Sequence, residues 1–167
     1  FVFPSDLDLS GVTPGVTTGF DVNGLLIQGG GTVCAALDVS GAPVTVEECT
    51  ATAGNLHIDA SPVTLIDGMA TVSASHGDQP NVPEGYIVRY VLTSGEGLVI
   101  EQLGTSPSFE VTQAGAYTIH TFVFPSDLDL SGVTPGVTTG FDVNGLLIQG
   151  GGTVCAALDV SGAPVTV

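Results

Sequence analysis

The chain has 167 residues, of which 17 are Asp or Glu and a single one, Arg89, is basic, so its formal net charge is −16. This balance excludes nucleic-acid binding through phosphate neutralisation and adhesion to an anionic membrane through a basic face, because both need clustered Lys and Arg. With 43% hydrophobic and only 11% charged residues, the chain is too apolar for a disordered acidic tail, and it has no apolar run of the ~18 residues that would span a bilayer.

An exact internal repeat sets the predicted domain organisation. Residues 1–46 recur without a change as residues 122–167, at an offset of 121, whereas residues 47–121 occur once. A period of this length suits one compact domain, because solenoid repeats run about 20–50 residues. We therefore predict that 47–167 form a complete domain and that 1–46 are the C-terminal part of a preceding one. We predict that the chain is part of a longer tandem array of such domains. The alternative is an engineered duplication.

The repeated segment opens with a candidate calcium loop. Its acidic start matches the beginning of a D-x-D-x-[DNS]-G loop, but the position where an EF-hand needs a bidentate Glu is Thr17. Simple alternation, with the two leucines buried and the two aspartates solvated, is the competing interpretation. Calcium is the one cofactor that the sequence suggests, and the candidate ligands in the two copies are Asp6, Asp8, Ser10, Asp127, Asp129 and Ser131.

Residues 47–124 predict a series of short strands. Their apolar residues mostly recur with a period of two, and turn residues separate the runs. Strands at intervals of about ten residues are typical of an all-β sandwich. The run 86–92 is apolar on both faces, which indicates a central, buried strand. The predicted strands are 56–59, 70–75, 86–92, 98–103, 108–111 and 116–124.

One short motif favours an immunoglobulin-like sandwich. Tyr117 follows Gly115 at the start of a predicted strand, as in a tyrosine corner, where the phenol is tied back to the backbone. Ile119 stands two residues later, where an antibody domain has its second Cys, and Ala74 would be its partner on the opposite strand. A hydrophobic pair would then replace the inter-sheet disulfide. The alternative is a Tyr that simply begins a strand.

Residues 125–152 predict a long insertion before the last strand. The segment is rich in glycine and contains a predicted helix over 141–149, with Thr138 or Thr139 as its N-cap and Asp142 in its first turn. Three glycines, 150–152, would end the helix, and a last strand over 153–160 would close the sheet. Insertions of this length are commonly functional, so this is the predicted place of contact with a neighbouring domain.

The strings ATVSASHGD, VPEGYIVRYVLTSGEGLVI, GAYTIHT and FDVNGLLIQGGGTVCAALDV resemble Bacteroidetes-type giant surface proteins. These proteins are built from tandem Ig-like or PKD-like repeats and include relatives of gliding-motility adhesins. The likeness runs through the whole period and contains no catalytic motif. It implies export to the cell surface, a long multi-domain stalk, and a role in adhesion or in surface filaments.

In an exported protein, two cysteines per period favour disulfides. Cys49 paired with Cys155 would join the first and last strands of one domain. Cys34, the copy of Cys155, paired with Cys49 would instead close a short loop across the domain junction. Free thiols are the third alternative, and the sequence leaves all three open.

The leading functional hypothesis is mechanical, with identical repeats in series forming an extracellular stalk or filament and neighbouring repeats as the partners. Alternatives are a ligand-binding adhesin module, which would recognise a surface glycan through residues 125–152, and a subunit that polymerises when residues 1–46 add a strand to another chain. No enzyme is expected, because His57, His76 and His120 accompany no nucleophile motif. His57 and His120 are predicted at exposed or sheet-face positions.

Overall fold

The computed structural model describes residues 1–44 and 48–167. The chain divides into two compact units, Phe1–Glu47 and Glu48–Val167, which we call unit 1 and unit 2. The predicted junction at Glu47 lies outside the described residues. Among those that are described, no helix has both the length and the apolar character needed to cross a membrane.

Unit 2 is built mainly from antiparallel strands in two sheets. The smaller sheet has the order β1-β2-β5, and the larger has the order β4-β3-β6-β7, with β8 also paired to β6. The prediction of an all-β fold is therefore confirmed. The elements are β1 (Leu56–Ile58), β2 (Ala70–His76), β3 (Tyr86–Ser94), β4 (Val99–Gly104), β5 (Ser108–Val111), β6 (Ala116–Pro125), α2 (Gly140–Leu146), β7 (Ala157–Leu158) and β8 (Ala163–Thr166).

The two sheets share one hydrophobic core. In β2, Ala70, Val72 and Ala74 are buried while the residues between them are not, because successive side chains of a strand point to opposite faces. The larger sheet contributes alternate residues to the same core. This first core consists of Leu56, Ala70, Val72, Ala74, Leu92, Phe109, Val111, Ile119, Ala163 and Val165.

The outer face of the larger sheet carries a second core. Strands β3 and β6 lie in the middle of their sheet and bury side chains on both faces, as the two-sided apolar run 86–92 predicts. The insertion folds over this outer face and supplies helix α2 together with several leucines and valines. The second core consists of Val91, Ile100, Phe122, Phe124, Val143, Leu147, Ala156 and Leu158.

The C-terminal part departs from the predicted elements in two places. Helix α2 ends at Leu146 and is followed by a 3-10 turn, Ile148–Gly150, so the predicted helix over 141–149 is too long. The last strand, predicted over 153–160, begins later and extends further: β7 and β8 both pair antiparallel with β6 and follow it in the same direction, with an interruption at residues 159–162. Gly162 lies in this interruption at φ +55°, where a Cβ atom would stand 2.6 Å from both His120 Nδ1 and the Ile119 carbonyl oxygen.

Unit 1 contains helix α1 (Gly19–Leu25) and a 3-10 turn, Ile27–Gly29. Val2 and Ala36 form one isolated antiparallel bridge. Leu26 is 1% exposed and is the buried apolar residue of this unit. Within residues 1–44, where the structure describes unit 1, no extended strand pairing is present.

Candidate functional site

A disulfide closes unit 2. Cys49 is bonded to Cys155, with the two Cα atoms 5.4 Å apart and a sequence separation of 106 residues. This is the first of the two pairings that the sequence leaves open. Cys34 is exposed and free, so the pairing of Cys34 with Cys49 is not formed. Neither bonded cysteine lies in a strand, contrary to the prediction that they join the first and last strands. The bond instead ties the segment before β1 to the segment before β7.

The chain enters unit 2 at one end of strand β6 and leaves it at the other. Val167 and Gly115 exchange two backbone hydrogen bonds of 2.9 Å at the start of β6. Val123, near the end of β6, pairs with Ala157, two residues after the cysteine that is bonded to Cys49. Eight residues of extended strand separate Gly115 from Val123, a distance of about 26 Å at ~3.3 Å per residue. The two chain ends of unit 2 are therefore well separated.

The insertion forms an apolar groove, which we call the insertion groove. In unit 2 its volume is about 520 Å³, and its lining includes Leu128, Leu130, Val133, Leu146 and Val154. In unit 1 the residues at the same positions of the repeat line a groove of about 460 Å³. The groove therefore forms from the repeated segment alone and does not depend on the sheets of unit 2.

Two carboxylates line the insertion groove, and both have structural roles. Asp142 Oδ2 accepts hydrogen bonds from Thr139 Oγ1 at 2.7 Å and from Thr139 N at 2.9 Å. The second of these and the 3.1 Å bond that Asp142 N donates to Thr139 Oγ1 form the capping box at the start of α2. The two bonds that Asp142 Oδ2 accepts, the side-chain one first, lower the pKa of Asp142. Asp129 Oδ1 accepts a hydrogen bond from Ser131 N at 2.8 Å. The exposed apolar surface of the insertion is thus bordered by two carboxylates that already accept hydrogen bonds from neighbouring residues.

The candidate calcium residues form tight turns. Asp8 and Asp129 each accept a hydrogen bond from the backbone N–H two residues on, at 2.8 Å. Hydrogen bonds from Ser10 and Ser131, the backbone ones first, lower the pKa of these two carboxyls. In the described part of the chain, no three His, Cys, Asp or Glu side chains come together as a metal-binding group. Calcium binding at Asp6, Asp8 and Ser10, and at their copies, stays a prediction.

The tyrosine-corner residues lie at the start of β6. The Tyr117 hydroxyl donates a hydrogen bond to the Gln113 carbonyl oxygen, four residues upstream, at 3.0 Å. Ile119 and Ala74 both belong to the first core, one from each sheet. Both residues of the predicted hydrophobic pair, Ile119 and Ala74, therefore lie in the core between the two sheets.

His120 lies in β6 and is 1% exposed, so of the two predicted alternatives, an exposed or a sheet-face position, the exposed one is wrong. Its Nδ1 lies 2.8 Å from the Asp159 carbonyl oxygen, and its Nε2 lies 2.8 Å from Thr93 Oγ1. Because a carbonyl only accepts, Nδ1 carries the proton, and in the neutral ring, the form that burial favours, Nε2 accepts from the Thr93 hydroxyl. Burial lowers the pKa of His120. Both ring nitrogens are engaged, so this histidine, which lies in β6, joins β3 and the segment between β7 and β8.

The other two histidines lie on the smaller sheet, separate from this arrangement. His76 Nε2 is 2.8 Å from the Tyr90 hydroxyl oxygen, and burial raises the pKa of Tyr90. His57 is exposed on β1 and pairs in register with Ser75. Asp59 accepts hydrogen bonds from Ser75 and Ser73, which lower its pKa.

Two features of the site were not predicted from the sequence, namely the insertion groove and the burial of His120. The insertion groove could have been found from the exact duplication, since a segment that is repeated with all its leucines and valines carries its own packing. The buried position of His120 had no local signal, because its partners Thr93 and Asp159 lie 27 and 39 residues away. Comparison of the chain with protein-family models, curated proteins and solved structures found no match in any of the three.

Proposed function

We propose that unit 2 is an immunoglobulin-like repeat, and that identical repeats in series form an extracellular stalk or surface filament. Lettered in chain order, with β7 as an extra pair on β6, the strands have the order A-B-E in one sheet and C′-C-F-G in the other. Immunoglobulin-like sandwiches group their strands in this way. The hydrogen bond from Tyr117 to Gln113 supports the same assignment.

The separation of the two chain ends of unit 2 carries this proposal. A repeat that is entered beside Cys49 and left beside Gly115 adds its own length, about 26 Å or more, to a string of such repeats. A repeat with adjacent ends would fold a tandem array into a cluster. The exact 121-residue period supports a series of identical repeats, and the disulfide fits an oxidising, extracellular setting.

The acidity of the chain is consistent with this role. With 17 acidic residues and one basic residue, repeats in neighbouring chains repel each other, which keeps a concentrated surface layer dispersed. Many like charges on each repeat also favour an extended array.

A direct test measures the length of short arrays. Proteins containing two, three and four periods would be compared by small-angle X-ray scattering. We expect the maximum dimension to rise by about 30–40 Å per period, from strands of ten residues at ~3.3 Å each. A maximum dimension that grows only with the cube root of the mass would contradict the stalk.

The insertion groove favours a second candidate function, recognition of a ligand such as a surface glycan. The same groove forms in both units, and apolar side chains near it stay exposed in both, including Phe141 and Leu146. A glycan array probed with a three-period protein would test this function, with a variant carrying Phe141→Ser and Leu146→Ser in every repeat as the matched control. Binding that is equal for the two proteins, or absent from both, would contradict it.

A further inference from the structure

The disulfide of unit 2 lies where the chain enters that unit. Unit 2 begins at Glu48, and Cys49 is bonded to Cys155, 106 residues further along the chain. Residues 50–154, which we call the closed loop, hold strands β1 to β6 and helix α2. Residues 156–167, with β7 and β8, follow the bond and lead to the exit of the unit.

A pull on the two ends of unit 2 does not have to pass through the closed loop. The covalent route crosses the bond from Cys49 to Cys155 and then follows residues 156–167, and we call this route the load path. Both ends of the closed loop join the load path at the same bond. Because the load path is pulled equally from its two ends, its pairing with β6 transmits no net force to the loop.

The load path is nearly straight in the folded unit. Ala157 is paired with Val123 of β6, and Val167 is hydrogen-bonded to Gly115, which lies about 26 Å away along the same strand. The residue steps from Ala157 to Val167 span at most about 33–36 Å when they are fully extended. This segment can therefore lengthen by only about 10 Å before its backbone is taut.

Over a whole period the load path stays short, because it adds only the connection to the next bonded cysteine. In this chain that stretch runs from Cys34, the copy of Cys155, to Cys49, which is 15 residue steps. The other 106 steps of the 121-residue period belong to the closed loop. Fully extended, the load path would contribute about 50 Å per period and the closed loop about 350 Å. The bond thus withholds most of the chain length of each period from a pull.

We propose that this disulfide is a mechanical clamp, which carries tension along a string of repeats and keeps residues 50–154 of each repeat out of the load. The proposal rests on the proposed stalk and deepens it, since it assigns the load to one bond and one short segment. The residues that line the insertion groove, from Phe122 to Val154, all belong to the closed loop. The groove therefore stays formed while the stalk is under tension.

The experiment pulls on the full 167-residue chain from its two ends in optical tweezers. Every protein carries Cys34→Ser, so that no free thiol can exchange with the bond, and unit 1 adds the same length in each case. With the bond formed, we expect unit 2 to lengthen by no more than about 20 Å at any force. The matched variant Cys155→Ser should lengthen by about 350 Å more, because the load then passes through residues 50–154.

Reduction under load covers the case in which Cys155→Ser does not fold. The bonded protein is held at constant force, and a phosphine reductant is added at a concentration above which the response becomes no faster. We expect the release of about 350 Å to follow after a lag, because the closed loop is still folded when the bond is cut and must then unfold. Phe122→Ala should shorten this lag about tenfold or more, since it empties a buried site within the loop.

Three results would overturn the proposal. If Cys155→Ser resisted the same forces without lengthening, strand pairing alone would bear the load. If the bonded chain lengthened as far as Cys155→Ser, the load would not pass through the bond. If the lag fell to zero at high reductant with and without Phe122→Ala, the loop would unfold under tension while the bond is intact. All three concern single chains, so failure here leaves the scattering test of the stalk unaffected.

Discussion

Residues 1–46 and 122–167 have one sequence and two structures, which separates local from non-local causes of folding. In both copies a Thr–Asp capping box starts the helix. In both, a Gln side chain donates a 2.7 Å hydrogen bond to the Asn five residues earlier. Leu26 and Leu147 are 1% and 2% exposed. These contacts join residues close in sequence, so they form wherever the segment is.

The strands differ between the copies. In unit 2 the segment supplies the end of β6 together with β7 and β8, all of which pair within the larger sheet. In unit 1 the isolated bridge between Val2 and Ala36 is the remnant of the pairing of Val123 with Ala157. Residues 42–44 lie outside any strand there, whereas their copies belong to β8. Strands need partners far away in sequence, so the same residues form them only where those partners are present.

The duplication supplies a matched control for each prediction about unit 2. The largest effect is expected from Cys155→Ser. Loss of the bond frees a loop of about 106 residues, which should lower the free energy of unfolding of unit 2 by about 4–5 kcal/mol in the chain-entropy model. Cys34→Ser changes the same residue without breaking a bond, and should leave the value unchanged. Urea unfolding of dilute protein would measure the free energy of unfolding of unit 2 in both variants. Equal free energies would contradict the assigned disulfide.

Phe122→Ala should lower the stability of unit 2 by about 3–5 kcal/mol, because it empties a buried site in the second core. The ring is 3% exposed and stacks on Phe124 at a centroid distance of 4.4 Å. Phe1→Ala removes a half-exposed ring, for which we expect less than about 1 kcal/mol. The denaturant concentration at which unit 2 is half unfolded, measured for both variants, would test this difference in stability. A loss on Phe1→Ala as large as that on Phe122→Ala would show that the first copy is also covered.

Gly162→Ala should cost unit 2 about 2–4 kcal/mol, from the left-handed backbone and from overpacking against His120 and the Ile119 carbonyl. Gly41 has the same φ of +55°, but no described atom lies within 4 Å of its Cβ position. Gly41→Ala should therefore strain unit 1 alone. Thermal unfolding followed by a probe in unit 2 would distinguish the two. If Gly162→Ala were harmless, the position of Gly162 against His120 and Ile119 would be contradicted.

The pH dependence should be a smaller effect, because each unit of pKa shift corresponds to about 1.4 kcal/mol. Burial lowers the pKa of His120 below the ordinary 6.5, so the unfolded chain takes up the proton first. The contribution of the neutral ring is complete above pH 6.5 and is lost as the pH falls from 6.5 towards the native pKa. Melting temperatures between pH 7.5 and 5 should therefore converge for the wild type and His120→Asn. Parallel curves would contradict a buried neutral His120.

The smallest effect is expected from the helix caps. Thr139→Ala should cost unit 2 about 1 kcal/mol, the usual value of an N-cap. Thr18→Ala removes the same cap from α1 and should increase amide exchange there by a similar free energy, without changing unit 2. Hydrogen exchange of the two helices would measure both effects. Unequal local effects would indicate that α2 depends on its packing more than on its cap.

Much of unit 2 could be predicted from the sequence, and the failures have one cause. The strands around Val72 and Ile119 follow from apolar alternation, and the strand around Leu92 follows from a run that is apolar on both faces. The capping box follows from Thr139 and Asp142 at the correct spacing. The interruption at residues 159–162 was missed because the residues on both sides of it are compatible with one continuous strand. The burial of His120 was missed because its ring is held by Thr93 and Asp159, whose positions only the sheet brings together.

Amino-acid order alone determined the 121-residue period, the acidic surface, the all-β class and the small capped helix. The period is visible by direct comparison of the two copies, and the other three features depend on composition or on residues close together in the chain. Tertiary structure decided which copy of the segment becomes strand, which cysteine finds Cys49, and where the chain enters and leaves unit 2. Those outcomes depend on surfaces assembled from residues far apart in the chain, so two identical stretches of 46 residues can end in different states.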